Sequence, residues 1–125
     1  MHRIAGWDSL LDHLAAAGAR PRALGGDRVE LTAAATGARL VLGRHEHAGA
    51  TWLELVVVLG SARSLPVTNS LIDNANAAIG AFCLIGGELA LRQTLPLAGL
   101  RVVDLERLLK AMAWRATQTR KQLGL

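Results

Sequence analysis

Two hydrophobic periods alternate along this chain, and each change of period marks an element. Leu10, Leu11, Leu14 and Ala15 recur at helical spacing behind Trp7, Asp8 and Ser9, which offer capping oxygens, and Gly18 supplies a stop. Pro21, Gly25 and Gly26 predict a loop. Val29, Leu31 and Ala33 then alternate with Arg28, Glu30 and Thr32, the period of a strand with one wet face. Thr36 and Gly37 turn the chain into a second strand over 39–44, and a polar connection from His45 to Gly49 leads to a third over 51–59. From Leu55 onward that third strand is apolar on both faces, which predicts a central place covered on both sides.

A break over 61–66 precedes a second helix over 69–79. Its apolar face is Leu71, Ile72, Ala75, Ala78 and Ile79, with Asp73, Asn74 and Asn76 turned to water or to a partner. Strands over 82–85 and 88–95 form a hairpin about Gly86 and Gly87, because a two-residue turn needs positive φ at its centre. Pro96 ends the last strand. A long helix opens near Asp104, with Leu105, Leu108, Leu109, Met112, Ala113 and Ala116 on one face and Arg107, Lys110 and Arg115 left outside it. The order α-β-β-β-α-β-β-α predicts an α+β two-layer sandwich, an antiparallel sheet packed by helices, in one domain over 1–125.

Composition sharpens this picture. Half the residues are hydrophobic, yet the chain has no Tyr, one Phe and three Trp, so the core is aliphatic. The longest apolar run, Leu55 to Leu59, is far short of the roughly 20 residues a bilayer crossing needs. One cysteine, Cys83, excludes an internal disulfide and fits a reducing cytoplasm. The net charge of +4 is uneven. Residues 1–88 carry seven Arg against eight acidic residues, whereas 89–125 carry five Arg and two Lys against Asp104 and Glu106. Such a basic end suits a solvated helix face, or a surface for nucleic acid or an acidic partner through Arg101, Arg107, Lys110, Arg115, Arg120 and Lys121.

The residues that resemble chemistry are few. His45 and His47 fall on one side of a strand, but a structural metal site needs about four ligands, and the other donors His2, His13 and Cys83 are remote in sequence. Cys83 lies in an apolar strand and reads as an inert core thiol. No phosphate-binding loop, dinucleotide fingerprint, nucleophile elbow, Cys-x-x-Cys or His-Glu-x-x-His occurs. The sequence therefore predicts no enzyme, no catalytic residue, no cofactor and no bound metal.

The run from Leu71 to Phe82 (LIDNANAAIGAF), the run from Gly86 to Leu100 (GGELALRQTLPLAGL) and the helix segment from Leu105 to Leu109 (LERLL) resemble the second half of type III secretion chaperones. That is the Tir chaperone, or CesT, group, with YbjN-like domains of regulatory or unknown role as the related alternative. The resemblance implies a cytoplasmic, bacterial, non-catalytic homodimer that holds an extended segment of another protein. It implies dimerisation through Ile72, Ala75, Ile79, Phe82 and Leu84, and partner binding in apolar grooves at Leu10, Leu14, Leu31, Leu40 and Leu42. Secretion chaperones of the family are typically acidic, whereas this chain has a pI near 10.6.

Overall fold

The computed structural model describes residues 3–17, 19–33, 37–61, 73–75, 77 and 79–125. Helix α1 (Trp7–Ala16) is followed by strands β1 (Arg22–Gly25), β2 (Arg28–Thr32), β3 (Arg39–His47), β4 (Ala50–Ser61), β5 (Ala81–Ile85) and β6 (Glu88–Pro96), then by helix α2 (Val102–Leu123). The strands form one antiparallel sheet in the order β1-β2-β3-β4-β6-β5. This is the expected α+β architecture, an open sheet packed by helices. Of the second helix, residues 73–75 are helical; Leu71, Ile72, Asn76 and Ala78 lie outside the described residues, as do Gly18 and Thr36.

Period two decides which face is dry. Val29, Leu31, Leu40, Leu42, Leu53, Leu55, Val57, Leu59, Leu89 and Leu91 form a single cluster with Trp7, Leu10 and Leu14 of α1 and Leu105, Met112, Ala113 and Ala116 of α2. Both helices therefore pack on one face. The opposite face carries His45, Trp52, Glu54, Val56, Val58, Ala90, Arg92 and Cys83, aligned by the registers Val56–Arg92, Val58–Ala90 and Cys83–Ala90. Strand β4 is central, as expected, but Val58 on this second face is 41% exposed, so the expected cover on both sides is not complete there.

The loop expected around Pro21 contains strand β1. Its four residues are all exposed and do not alternate, so no hydrophobic pattern announces it. Backbone pairing to β2 in the registers Arg22–Glu30 and Ala23–Val29 makes the strand, the Arg22–Glu30 ion pair at 3.1 Å joins it, and Gly25 and Gly26 turn with φ of 94° and 59°. Gly86 and Gly87, with φ of 56° and 81°, close the β5–β6 hairpin as expected.

Helix α2 opens two residues before Asp104. Arg101 sits at its N-cap and grips Asp104 through Nε at 2.7 Å and Nη2 at 3.1 Å. At the other end Gly124 takes the left-handed conformation, φ 70°, and the Leu125 N–H returns to the Arg120 carbonyl at 2.8 Å, which satisfies a carbonyl the helix end would otherwise leave bare. No helix among the described residues is long and apolar enough to cross a membrane.

Candidate functional site

Strand β5 is one edge of the sheet, and it carries more apolar surface than an edge usually tolerates. Leu84 is 64% exposed and Ile85 44%, and on α2 Trp114 is 63% exposed. Between helix and edge an apolar hollow of about 410 Å³ is lined by Ala77, Ile79, Lys110, Ala111, Trp114 and Arg115. Exposed leucine and isoleucine on an edge strand make a surface suited to another polypeptide, because main-chain pairing supplies affinity and apolar side chains fill pockets.

This edge is held from both sides. Asn74, expected to face water or a partner, turns instead onto β5: its Nδ2 donates to the Phe82 carbonyl at 3.1 Å and its Oδ1 accepts the Phe82 N–H. One amide side chain thus takes the place of a neighbouring strand at Phe82. The alternation of an antiparallel ladder directs the N–H and C=O of Leu84 to this same free edge, two residues farther on. Asp73 and Ala75 beside Asn74 are exposed.

From the helix side, Arg115 donates through Nη1 to the carbonyls of Ile79 and Gly80, and its guanidinium lies 5.2 Å from the centroid of the Phe82 ring. Burial lowers its pKa from the ordinary arginine value, and the charge of Asp73 works the other way. Gly80 is buried with φ 72°, its N–H bonded to Gln93 Oε1 at 2.8 Å, and a Cβ there would come within 3.0 Å of Met112 Sδ. Only glycine fits where Arg115 reaches the backbone. The expectation that Arg115 belongs to a solvated basic face is therefore corrected. Asn74 and Arg115 were not legible as site residues; the one signal was Trp114 beside Arg115 on the polar side of a helix.

The other expected basic residues divide. Arg120 donates to the Leu59 carbonyl at 2.6 Å and Arg101 is paired with Asp104, whereas Arg107, Lys110 and Lys121 are exposed. Of the expected dimer residues, Ile79 and Phe82 are half-buried at the β5 edge, Ala75 and Leu84 are exposed there, and Ile72 lies outside the described residues. Of the expected partner-binding residues, Leu10, Leu14, Leu31, Leu40 and Leu42 are brought together, but as core between α1 and the sheet, each at most 5% exposed.

His45 and His47 share the sheet face opposite α1 and α2; His45 Nδ1 is 3.8 Å from Glu54 Oε2, and the same Glu54 oxygen is held by Arg92 at 2.6 and 2.8 Å. Among the described residues no group of three or more His, Cys, Asp or Glu lies close enough to hold a metal ion. Burial pushes the Cys83 thiol above its ordinary pKa, against a smaller pull from Arg92, so its reactive thiolate form is suppressed.

No family model matches the chain, and no curated protein matches it. Six chains in solved structures do. One, from the structure of the HopA1–SchA chaperone–effector complex, superposes with a TM-score of 0.68 over 93% of this chain and 94% of its own, at 18% identity. The chain folds like a component of a chaperone–effector complex. At that identity the likeness establishes the fold, and it spans α1 to α2 rather than one motif.

Proposed function

We propose that the chain is a non-catalytic, dimeric protein-binding domain that holds an extended segment of another protein, after the manner of type III secretion chaperones. The observation that carries the dimeric reading is the β5 edge: Leu84 and Ile85 are exposed on a strand clamped by Asn74 and Arg115, and an apolar hollow lined by Ile79 and the exposed Trp114 lies between the start of that segment and α2. The fold shared with a chain of a chaperone–effector complex supports it. A second copy covers this edge, with Ala75, Ile79, Phe82 and Leu84 at the contact and Ile72 close to it in sequence. In the arrangement seen, Leu10, Leu14, Leu31, Leu40 and Leu42 hold α1 on the sheet, and a partner segment contacts them where α1 lifts. The protein acts in a bacterial cytoplasm.

Capture from native cells with the tagged full chain tests this. A protein retained in stoichiometric amount, indifferent to nuclease and to salt between low and moderate concentration, is the expected result, since apolar contacts respond little to salt. Recovery of nucleic acid instead, with affinity falling by orders of magnitude over the same salt range, would overturn the reading.

A further inference from the structure

The two bonds from Asn74 to Phe82 limit what can join the β5 edge. The ladder from Ala81–Arg92 to Ile85–Glu88 runs without a bulge, so Phe82 and Leu84 aim their N–H and C=O away from β6, while Cys83 between them aims its own toward it. Asn74 occupies both groups of Phe82. Among the described residues nothing bonds the corresponding groups of Leu84, and its side chain is exposed. The next outward position is Gly86, where the chain leaves the strand through the Gly86–Gly87 turn with φ of 56° and 81°. Strand β5 therefore offers one open rung, at Leu84, with a side-chain amide before it and a turn after it.

We propose that Asn74 selects both the partner of this edge and its register: a second copy of the chain, paired antiparallel about a twofold axis at Leu84, so that Leu84 of one copy exchanges both backbone hydrogen bonds with Leu84 of the other. The proposal rests on the dimeric reading above and gives it a geometry. An extended segment of any other protein that continued past the rung would run into Asn74 two residues along, roughly 7 Å from Leu84. Strand β5 of a second copy does not. In this register its Gly86 falls opposite Phe82, and there its chain turns away. The facing side chains suit the contact, since Leu84 meets Leu84 and Cys83 meets Ile85, with no charge between the strands. If Asn74 were absent, a slip of two residues would set Phe82 opposite Leu84 and make two rungs instead of one, with Cys83 opposite Cys83. Asn74 is thus a specificity-determining residue for the edge.

The test uses the full chain, with disulfide formation under diamide as the readout of register and light scattering of the reduced protein as the readout of mass. In a hydrogen-bonded pair the Cα atoms lie about 5.5 Å apart, within reach of a disulfide, whereas positions two residues out of register exceed its limit of about 7 Å. Leu84→Cys in a Cys83→Ser background is expected to cross-link two chains. Ile85→Cys in the same background, and the unmodified chain through Cys83, should cross-link about tenfold or more slowly than that. Asn74→Ala should reverse the pattern, with Cys83 now cross-linking two chains and the Leu84→Cys cross-link slowed by a similar factor. A melting curve checks that this variant folds; where it does not, the Leu84→Cys and Ile85→Cys pair with Asn74 intact still decides the register. A dimeric mass without the Leu84→Cys cross-link, or with equal rates at both positions, overturns the register while leaving the dimer. Rapid Cys83 cross-linking in the unmodified chain, or a folded Asn74→Ala variant that keeps the unmodified pattern, overturns the role of Asn74. A monomeric mass overturns this proposal and the dimeric reading together.

Discussion

Asn74 and Phe82 are joined as two strands would be: one side-chain amide donates to the Phe82 carbonyl and accepts its N–H, at the free edge of the sheet. The pairing closes the edge at Phe82 and leaves it open at Leu84. It also ties residues 73–75 to β5, so the candidate surface has a fixed shape before any partner arrives.

Replacing Asn74 with Leu removes both bonds at a half-buried position and leaves two backbone groups without partners. We expect a loss of about 1–2 kcal/mol in chemical denaturation. Amide exchange at Phe82 should accelerate, while exchange at Leu91 in the centre of the sheet should follow only the global change. Unaltered exchange at Phe82 would mean the edge is held by something else.

Arg115 and its neighbours on α2 should behave oppositely. Arg115→Ala removes charged hydrogen bonds to two carbonyls and the contact with the Phe82 ring, for an expected cost of about 1.5–3 kcal/mol. Arg107→Ala and Lys110→Ala touch a solvated face and should each cost less than about 0.5 kcal/mol. Gly80→Ala should resemble Arg115→Ala in direction, since the new Cβ meets Met112 Sδ at 3.0 Å and Arg115 Nη1 at 3.2 Å on a backbone with φ 72°. Thermal or denaturant unfolding of the four variants separates the two groups.

The charge pair at the start of α2 gives a pH dependence. The hydrogen bond from Arg101 lowers the pKa of Asp104 below its ordinary carboxylate value. A carboxyl whose folded pKa is depressed contributes stability above its unfolded pKa, near 4, and loses that contribution as pH falls through the folded value. Asp104→Asn should therefore reduce stability at neutral pH and flatten the decline between about pH 5 and pH 2. An unchanged slope in denaturation profiles over that range would show the pair to be energetically silent.

The contrast between Gly86-Gly87 and Asn74 explains what could be read from the sequence. Alternation in β2, the apolar run of β4, the two-glycine turn and the leucine spacing of α2 are local signals, and they yielded the antiparallel sheet and the long helix. Strand β1 has no such signal, because all four of its residues are exposed and its existence depends on the registers Arg22–Glu30 and Ala23–Val29. Asn74 and Arg115 escaped for a related reason. Their partners are backbone atoms 8 to 36 residues away, and periodicity distinguishes an apolar face from a polar one but not a solvated polar face from one that grips a neighbouring segment. Leu10, Leu14, Leu31, Leu40 and Leu42 were expected from the family resemblance to line partner-binding grooves, and here they are packed as core between α1 and the sheet, because an apolar pattern does not say whether the chain itself or a partner covers it.

The mass of the unmodified chain in solution tests the central claim most directly. Light scattering at tens of micromolar should give twice the 13.2 kDa of one chain. Leu84→Asp should halve that mass with little change in the stability of the single chain, because Leu84 is 64% exposed without a partner and a carboxylate would enter an apolar contact only in the dimer. A monomeric mass for the unmodified chain would contradict the account, and a Leu84→Asp variant that stays dimeric would remove the β5 edge from the interface.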